Sequence, residues 1–250
     1  MKYFLTIAAS DNSGGAGVQQ DIKVAHELGY WALSAITGIT SQNFNNVSYV
    51  EAIKPEVLKI QLENCFKSFS ITAIKIGALC SQKNIQVIAE ALQNHNCKNV
   101  VLDPVLTSTD GKSFLALPAL DLLKNLLFPL TKVITPNKPE LELLTNSVTE
   151  NIEDAIDLAR SICNRWNTSV LIKGGHFDEK IIREALVTDS NVYRFERERK
   201  VFFYSHGTGC TLSTALACFL GHNLSLKDSY LKASKYLVNH YLLLQKKFSF

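Results

Sequence analysis

The residues best placed to do chemistry lie in His206-Gly207-Thr208-Gly209-Cys210-Thr211, between a short apolar run and a helix pattern rich in small side chains. Free backbone N–H groups at a helix start attract anions, and glycines let an anion approach closely. The spacing is not that of a Walker loop, which needs Gly-Lys-Ser/Thr after a four-residue gap. A cysteine in the first turn of a helix is expected to have a lowered pKa, because the helix dipole favours thiolate. Two readings stand: an anion hole beside a base, or a glycine turn with a packed thiol. Cys218, further along the same helix pattern, reads as a small hydrophobe in the core.

Other polar residues fall where strand patterns end. Asn137 and Glu140, in Pro136-Asn137-Lys138-Pro139-Glu140, have the spacing of a capping box, and Glu140 could equally stand near a magnesium ion or its waters. Asp103 closes the preceding strand and could serve the same cation, with a plain Asp-Pro turn as the alternative. Lys173, before Gly174-Gly175, could neutralise transferring phosphate oxygens or simply be solvated. The stretch "DNSGGAG", 11–17, lacks the spacing of a dinucleotide fingerprint, but its glycines would let the chain pass close to a small ligand. Gln42 and Asn43 supply amides that both give and accept hydrogen bonds, which suits an aromatic nitrogen heterocycle.

The elements that must position these residues alternate. Strand patterns at 3–9, 31–40, 71–76, 99–102, 132–135 and 169–173 are interleaved with helix patterns at 18–28, 55–69, 84–93, 115–127, 138–144 and 152–166. A strand pair at 182–187 and 191–195 and two helices at 207–220 and 226–246 follow. This rhythm predicts a three-layer α/β/α fold with a central, mostly parallel sheet, whose strand ends share the edge where ligands bind. With no repeat or linker, residues 1–250 are expected to form one domain.

Composition narrows the function. The chain has 250 residues, 46% apolar and 20% charged, with a formal charge of +3 and no basic patch, so a nucleic-acid partner is not expected. The run 195–200 alternates in sign and reads as a solvated loop or strand edge. The six cysteines lack any two-residue spacing, and the N-terminal apolar run turns polar at Ser10, too short for a secretory leader or a membrane span. A cytoplasmic protein with reduced thiols, touching no membrane, is the expectation.

Seven stretches, in order, carry a resemblance: "SDNSGGAGVQQDIK", "ITGITSQN", "IKIGAL", "VVLDPVL", "ITPNKPELELL", "VLIKGGH" and "SHGTGCTLSTALA". Together they resemble the hydroxymethylpyrimidine/phosphomethylpyrimidine kinases of thiamine biosynthesis, within the ribokinase-like superfamily. The resemblance implies ATP-dependent phosphorylation of 4-amino-5-hydroxymethyl-2-methylpyrimidine and of its monophosphate, with Mg²⁺, in a homodimer. It implies that Gly207, Thr208 and Gly209 form the anion hole, that Cys210 is the base and that Lys173 neutralises the phosphoryl group. Asp103, Asn137 and Glu140 would organise Mg²⁺, its waters and the triphosphate; Asp11 and Gln42 would hold the pyrimidine, with Val105 packing on it. Ala8-Ala9 stands where the family usually has Ala-Gly, so the Ala9 methyl is expected to face the ring, and 107–111 stands where many members carry a lysine. A pyridoxal or pyridoxine kinase of the same fold is the alternative enzyme, and a non-catalytic pyrimidine-binding protein the alternative of another class.

Overall fold

The computed structural model describes residues 1–108, 111–175, 177 and 180–248. In chain order the elements are β1 (Lys2–Asp11), α1 (Gly17–Glu27), β2 (Tyr30–Gln42), β3 (Val47–Ala52), α2 (Pro55–Ser68), β4 (Ile71–Ile76), α3 (Gln82–His95), β5 (Val100–Leu102) and α4 (Leu120–Leu126). There follow β6 (Val133–Ile134), α5 (Lys138–Thr145), α6 (Ile152–Trp166), β7 (Ser169–Ile172), β8 (Ile181–Val187), β9 (Val192–Glu198), α7 (Thr208–Gly221) and α8 (Leu226–Lys247).

The strands form one sheet in the order β3-β2-β1-β4-β5-β6-β7-β8-β9. From β2 to β7 neighbours run parallel, while β3, β8 and β9 pair antiparallel at the two ends. Strand side chains alternate in direction, so each strand feeds both faces. Leu5, Ile7, Ile74, Ile76, Val100 and Leu102 face α2, α3, α4 and α6; Phe4, Ala73 and Val101 face α1, α7 and α8. Two apolar layers thus cover a buried parallel sheet, which is the three-layer architecture the alternation predicts. Every parallel strand delivers its carboxyl end to one edge, and the order reverses between β1 and β4, the usual place for a ligand crevice in such sheets.

The sequence boundaries hold for most elements and fail at two. The helix expected over 115–127 is split into a 3₁₀ turn at Leu117–Ala119, α4, and a second 3₁₀ turn at Phe128–Leu130. Pro118 and Pro129 sit in the first positions of those turns, where a missing N–H is tolerated but a continuous helix is not. β3 was not expected at all. Its side chains are mostly exposed, so it lacks the apolar run that marks the buried strands.

Candidate active site

α7 is entered through Gly207, in the left-handed region at φ 78°. A Cβ there would also lie 1.9 Å from the Gly15 carbonyl oxygen, so only glycine lets the two loops touch. No side chain caps this helix start. The contrast with α5 is instructive: there Asn137 Oδ1 accepts from Glu140 N at 2.9 Å, and Glu140 Oε2 accepts from Asn137 N at 2.7 Å. α5 satisfies its first turn internally, whereas α7 has no side-chain cap and its Thr208 N–H donates only to the Ser205 carbonyl, at 3.4 Å, so this helix start suits an anion.

Facing that helix start is a buried charge cluster. Lys173 Nζ lies 2.7 Å from Asp103 Oδ1 and 3.4 Å from Glu140 Oε2. Asp103 also accepts from Thr135 Oγ1 at 3.0 Å and from Ser213 Oγ at 3.1 Å. Burial opposes the Asp103 charge, but Lys173 and then Lys75 outweigh it and hold the carboxyl below the usual range. Glu140 goes the other way: burial, against the pull of Lys173 and with the repulsion of Asp103, raises it to about 7. A Cβ on Gly209 would come 3.5 Å from Lys173 Nζ and 3.7 Å from Asp103 Oδ2, so glycine keeps open the space between the helix start and the lysine.

These groups open on a cavity of about 620 Å³ at the carboxyl edge of the sheet. Of the residues singled out in the sequence, Ala9, Gln42, Asp103, Val105, Asn137, Glu140, Lys173, Gly207, Thr208, Gly209 and Cys210 all line it. Its apolar wall is the small cluster of Ala9, Val47, Ala78 and Phe114, with Val105 packed against it. Gln42 donates to Thr40 Oγ1 at 2.9 Å, and its backbone N–H to Asn12 Oδ1 at 2.7 Å, which fixes its amide at the rim.

Two expectations change. Asp11 is not among the cavity-lining residues. Its carboxylate accepts from Ser13 N at 2.8 Å, Ser13 Oγ at 2.7 Å, Ala16 N at 2.7 Å and pairs with His206 Nε2 at 3.1 Å. Burial alone would raise its pKa, yet these bonds bring it down to about 2, so the side chain ties the glycine turn to the His206 loop. Cys210 does line the cavity, but not as the thiolate expected from the helix dipole. Burial pushes the thiol up to about 11, with Asp21 and Asp103 adding to the rise, and neither Lys75 nor a backbone hydrogen bond from Gly17 cancels it. Desolvation outweighs the dipole here.

Sequence reading also missed residues. Lys75 is fully buried, pairs with Asp21 at 2.9 Å, and still lines the cavity. Its signal was a lysine inside the otherwise apolar strand "ITAIKI". Arg197, Arg199 and Lys200 line the far side of the cavity, although the run 195–200 read only as a solvated edge. β9 is such an edge, with alternating exposure, but its end turns inward: Arg197 pairs with buried Glu184 at 3.2 Å, and Arg199 donates to the Gly175 carbonyl at 2.9 Å. Within the motifs quoted above, Thr109, Asp110 and His176 lie outside the described residues.

An open helix start set against a lysine-bridged carboxylate pair, at the switch point of a doubly wound sheet, is the layout of the ribokinase-like small-molecule kinases. The family model described as phosphomethylpyrimidine kinase matches residues 11–246, and the chain belongs to that family. It is 36% identical over 234 residues to the hydroxymethylpyrimidine/phosphomethylpyrimidine kinase of Escherichia coli K12, covering 93% of this chain and 88% of that one. Among solved structures, the phosphomethylpyrimidine kinase of Clostridium difficile 630 superposes with a TM-score of 0.85 at 33% identity, covering 96% of this chain and 99% of that one. The pyridoxal kinase of Staphylococcus aureus in complex with AMP-PCP superposes at 0.87 with 29% identity, covering 95% and 87%.

Proposed function

We propose that residues 1–250 act as one kinase domain that transfers the γ-phosphoryl group of ATP to the hydroxymethyl oxygen of 4-amino-5-hydroxymethyl-2-methylpyrimidine, and then a second group onto the monophosphate. The observation that carries this reading is the shared cavity. One wall offers the uncapped start of α7 and Lys173 for phosphate, and the other offers Ala9, Val105 and the Gln42 amide for a small aromatic heterocycle. The sequence relatives support the pyrimidine as the acceptor.

The residues divide the work simply. Phosphoryl transfer asks for positioning and charge neutralisation more than covalent chemistry. The N–H groups of Gly207, Thr208 and Gly209, with Lys173, meet the equatorial oxygens of the migrating group. The acceptor oxygen forms its bond to phosphorus as the bond from phosphorus to the bridging oxygen of ADP breaks. The acceptor's proton passes to the sulfur of Cys210, which takes it as thiolate.

Asp103 and Glu140 fit Mg²⁺. Their donors are hard carboxylate oxygens, and among the described residues no group of three metal-ligating side chains forms a protein cage. A magnesium ion that keeps waters and phosphate oxygens needs only one or two carboxylates. Bound there, it would neutralise the triphosphate charge. Asn137 acts through its hydrogen bond to the Glu140 backbone, which fixes the start of α5 and with it the carboxylate.

The homodimer is part of this proposal, and the β2–β3 end of the sheet, where Ile39 and Tyr49 are exposed, is a suitable face for it. So is a cytoplasmic setting; among the described residues no helix is long and apolar enough to cross a membrane. A pyridoxal acceptor is the second reading, favoured by the superposition on a pyridoxal kinase. Purified protein with ATP, Mg²⁺ and each acceptor separates the two. A higher kcat/KM for the pyrimidine supports the proposal, and a higher one for pyridoxal overturns it.

A further inference from the structure

We infer that Lys75, gripped by Asp21, is a positioning residue on the acceptor side of the site, set to hold Cys210 and to offset the charge of its thiolate before the proton arrives; this rests on the kinase reading above.

Thr6 of β1 and Lys75 of β4 are register partners, and both point to the face covered by α1 and α7. There the Lys75 ammonium meets Asp21 of α1, at 3.0 Å to Oδ1 and 2.9 Å to Oδ2. Asp21 also accepts from Thr6 Oγ1 at 2.5 Å and from Thr214 Oγ1 of α7 at 2.8 Å.

The same plan is built at Asp103. That carboxylate likewise accepts from a lysine (Lys173), a threonine beside the sheet (Thr135) and a hydroxyl of α7 (Ser213). Ser213 and Thr214 are consecutive, and residues four apart share a helix face. One turn nearer the start of α7 stand Gly209 and Cys210. The 209/213 stripe faces Asp103 and Lys173, as the short reach from Gly209 to both shows. The 210/214 stripe therefore faces Asp21 and Lys75. Two lysine–aspartate pairs thus lie under adjacent stripes of one helix, the first at the phosphoryl group and the second at Cys210.

The second pair is hard to explain as a device for stability. A fully buried lysine and aspartate give up their hydration, and apolar residues of similar size commonly hold a fold as well or better. What only the pair supplies is an ammonium on the cavity wall. Lys75 has three N–H donors, of which Asp21 engages two. The charged groups acting on the thiol are Lys75 from β4, Asp21 from α1, Asp103 after β5 and Lys173 after β7. Both lysines favour the thiolate, and Lys75 is the one that lies under the 210/214 stripe with Cys210. An ammonium held at this place offsets the charge of the thiolate that accepts the acceptor's proton.

The test is the neutral pair variant Lys75→Met with Asp21→Asn, assayed for turnover and for alkylation of Cys210 by iodoacetamide, with Cys210→Ala as the blank for the other thiols. If the inference holds, KM for ATP stays within about threefold, while kcat and Cys210 alkylation both fall severalfold, because losing Lys75 outweighs losing the opposing charge of Asp21. A folded pair variant with wild-type kcat overturns the inference. So does a loss of kcat with unchanged alkylation, because Lys75 would then not act through Cys210. If the pair variant fails to fold, Thr214→Val takes its place. It loosens Asp21 without unpairing a charge; a severalfold fall in both kcat and alkylation is expected, and wild-type values overturn the inference. If the wild-type protein shows no ATP-dependent turnover, the kinase reading falls, and the alkylation arm still decides whether Lys75 acts on Cys210.

Discussion

Lys173 and Asp103 form a 2.7 Å ion pair that is nearly closed to solvent, the lysine side chain 14% and the aspartate 1% exposed. With Glu140 at 3.4 Å, one ammonium serves two carboxylates. Burial makes the second carboxylate costly, which is why Glu140 is raised to about 7 while Lys173, despite its own burial, is held above the ordinary lysine range by Asp103 and Glu140. One ammonium thus balances one of the two carboxylates, and the second is left the more easily protonated. Lys173→Met removes the bridging cation. We expect kcat to fall by about 10²–10³, with KM for the pyrimidine within a few fold, because the lost interaction is made to the charge of the transition state. Two buried carboxylates then lose their partner, so stability should drop by about 3 kcal/mol in urea unfolding. Unchanged kcat in a folded Lys173→Met protein would remove the lysine from the phosphoryl site.

Cys210 predicts a pH profile. Its thiol is neutral at pH 7, since burial pushes it up to about 11. A base that must be thiolate is then scarce at neutral pH, and its fraction grows tenfold for each unit below that value. The chemical step, measured by single turnover, should therefore quicken as pH rises from 7 to 10. Cys210→Ala should lose about 10²–10⁴ in rate and this rise with it. Cys210→Asp puts a carboxylate at the same position, ionised well below the range of a thiol, and should flatten the alkaline limb. A Cys210→Ala protein with the wild-type profile would leave the proton without this acceptor.

Asp11 predicts a change in stability rather than in the chemical step, the reverse of its expected role at the pyrimidine. Its folded pKa of about 2 lies below the ordinary 3.8, so its stabilisation is fully present above about pH 4 and is lost as pH falls toward 2. The shift corresponds to about 2 kcal/mol. Asp11→Asn should lower the unfolding free energy from urea titration at pH 7 by that amount, and the gap from wild type should narrow as pH drops from 5 to 2.5. A gap that stays constant over this range would mean that the carboxylate charge does not hold the two loops.

The contrast between Cys210, Asp11 and Lys75 shows what was legible in the chain. Local pattern places the strands, because buried parallel strands are short apolar runs with polar residues at their carboxyl ends. That alone brings Asp103, Asn137 and Lys173 to one edge. The charge state of a side chain depends instead on what packs around it from distant segments. Cys210 reads as an activated thiol from its place in α7, and as a neutral one once it is buried by packing from distant segments, with Asp21 and Asp103 adding to the effect. Asp11 sits in a ligand-like loop, but His206 reaches it from 195 positions away. β3 was hidden for another reason: an edge strand needs no apolar run, and 47–52 shows none that stands out from the turn before it.

Gln42 tests the heterocycle side. Its amide donates to Thr40 Oγ1, which fixes the nitrogen and leaves the carbonyl oxygen and the second N–H for the cavity rim. An amide held in this way can read a ring nitrogen beside an amino group, whereas the wall of Ala9, Val47, Ala78 and Phe114 reads only shape. Losing a held amide from a polar recognition site costs about 1–3 kcal/mol, so Gln42→Leu should raise KM for the hydroxymethylpyrimidine by about 10–100-fold. kcat should change by less than about threefold, because the amide binds ground and transition states alike. Pyridoxal carries an aldehyde rather than an amino group beside its hydroxymethyl arm, and its KM should move less. Steady-state kinetics with both acceptors on wild type and Gln42→Leu measure the difference. Equal losses for the two would show that Gln42 supports the rim without choosing the substrate.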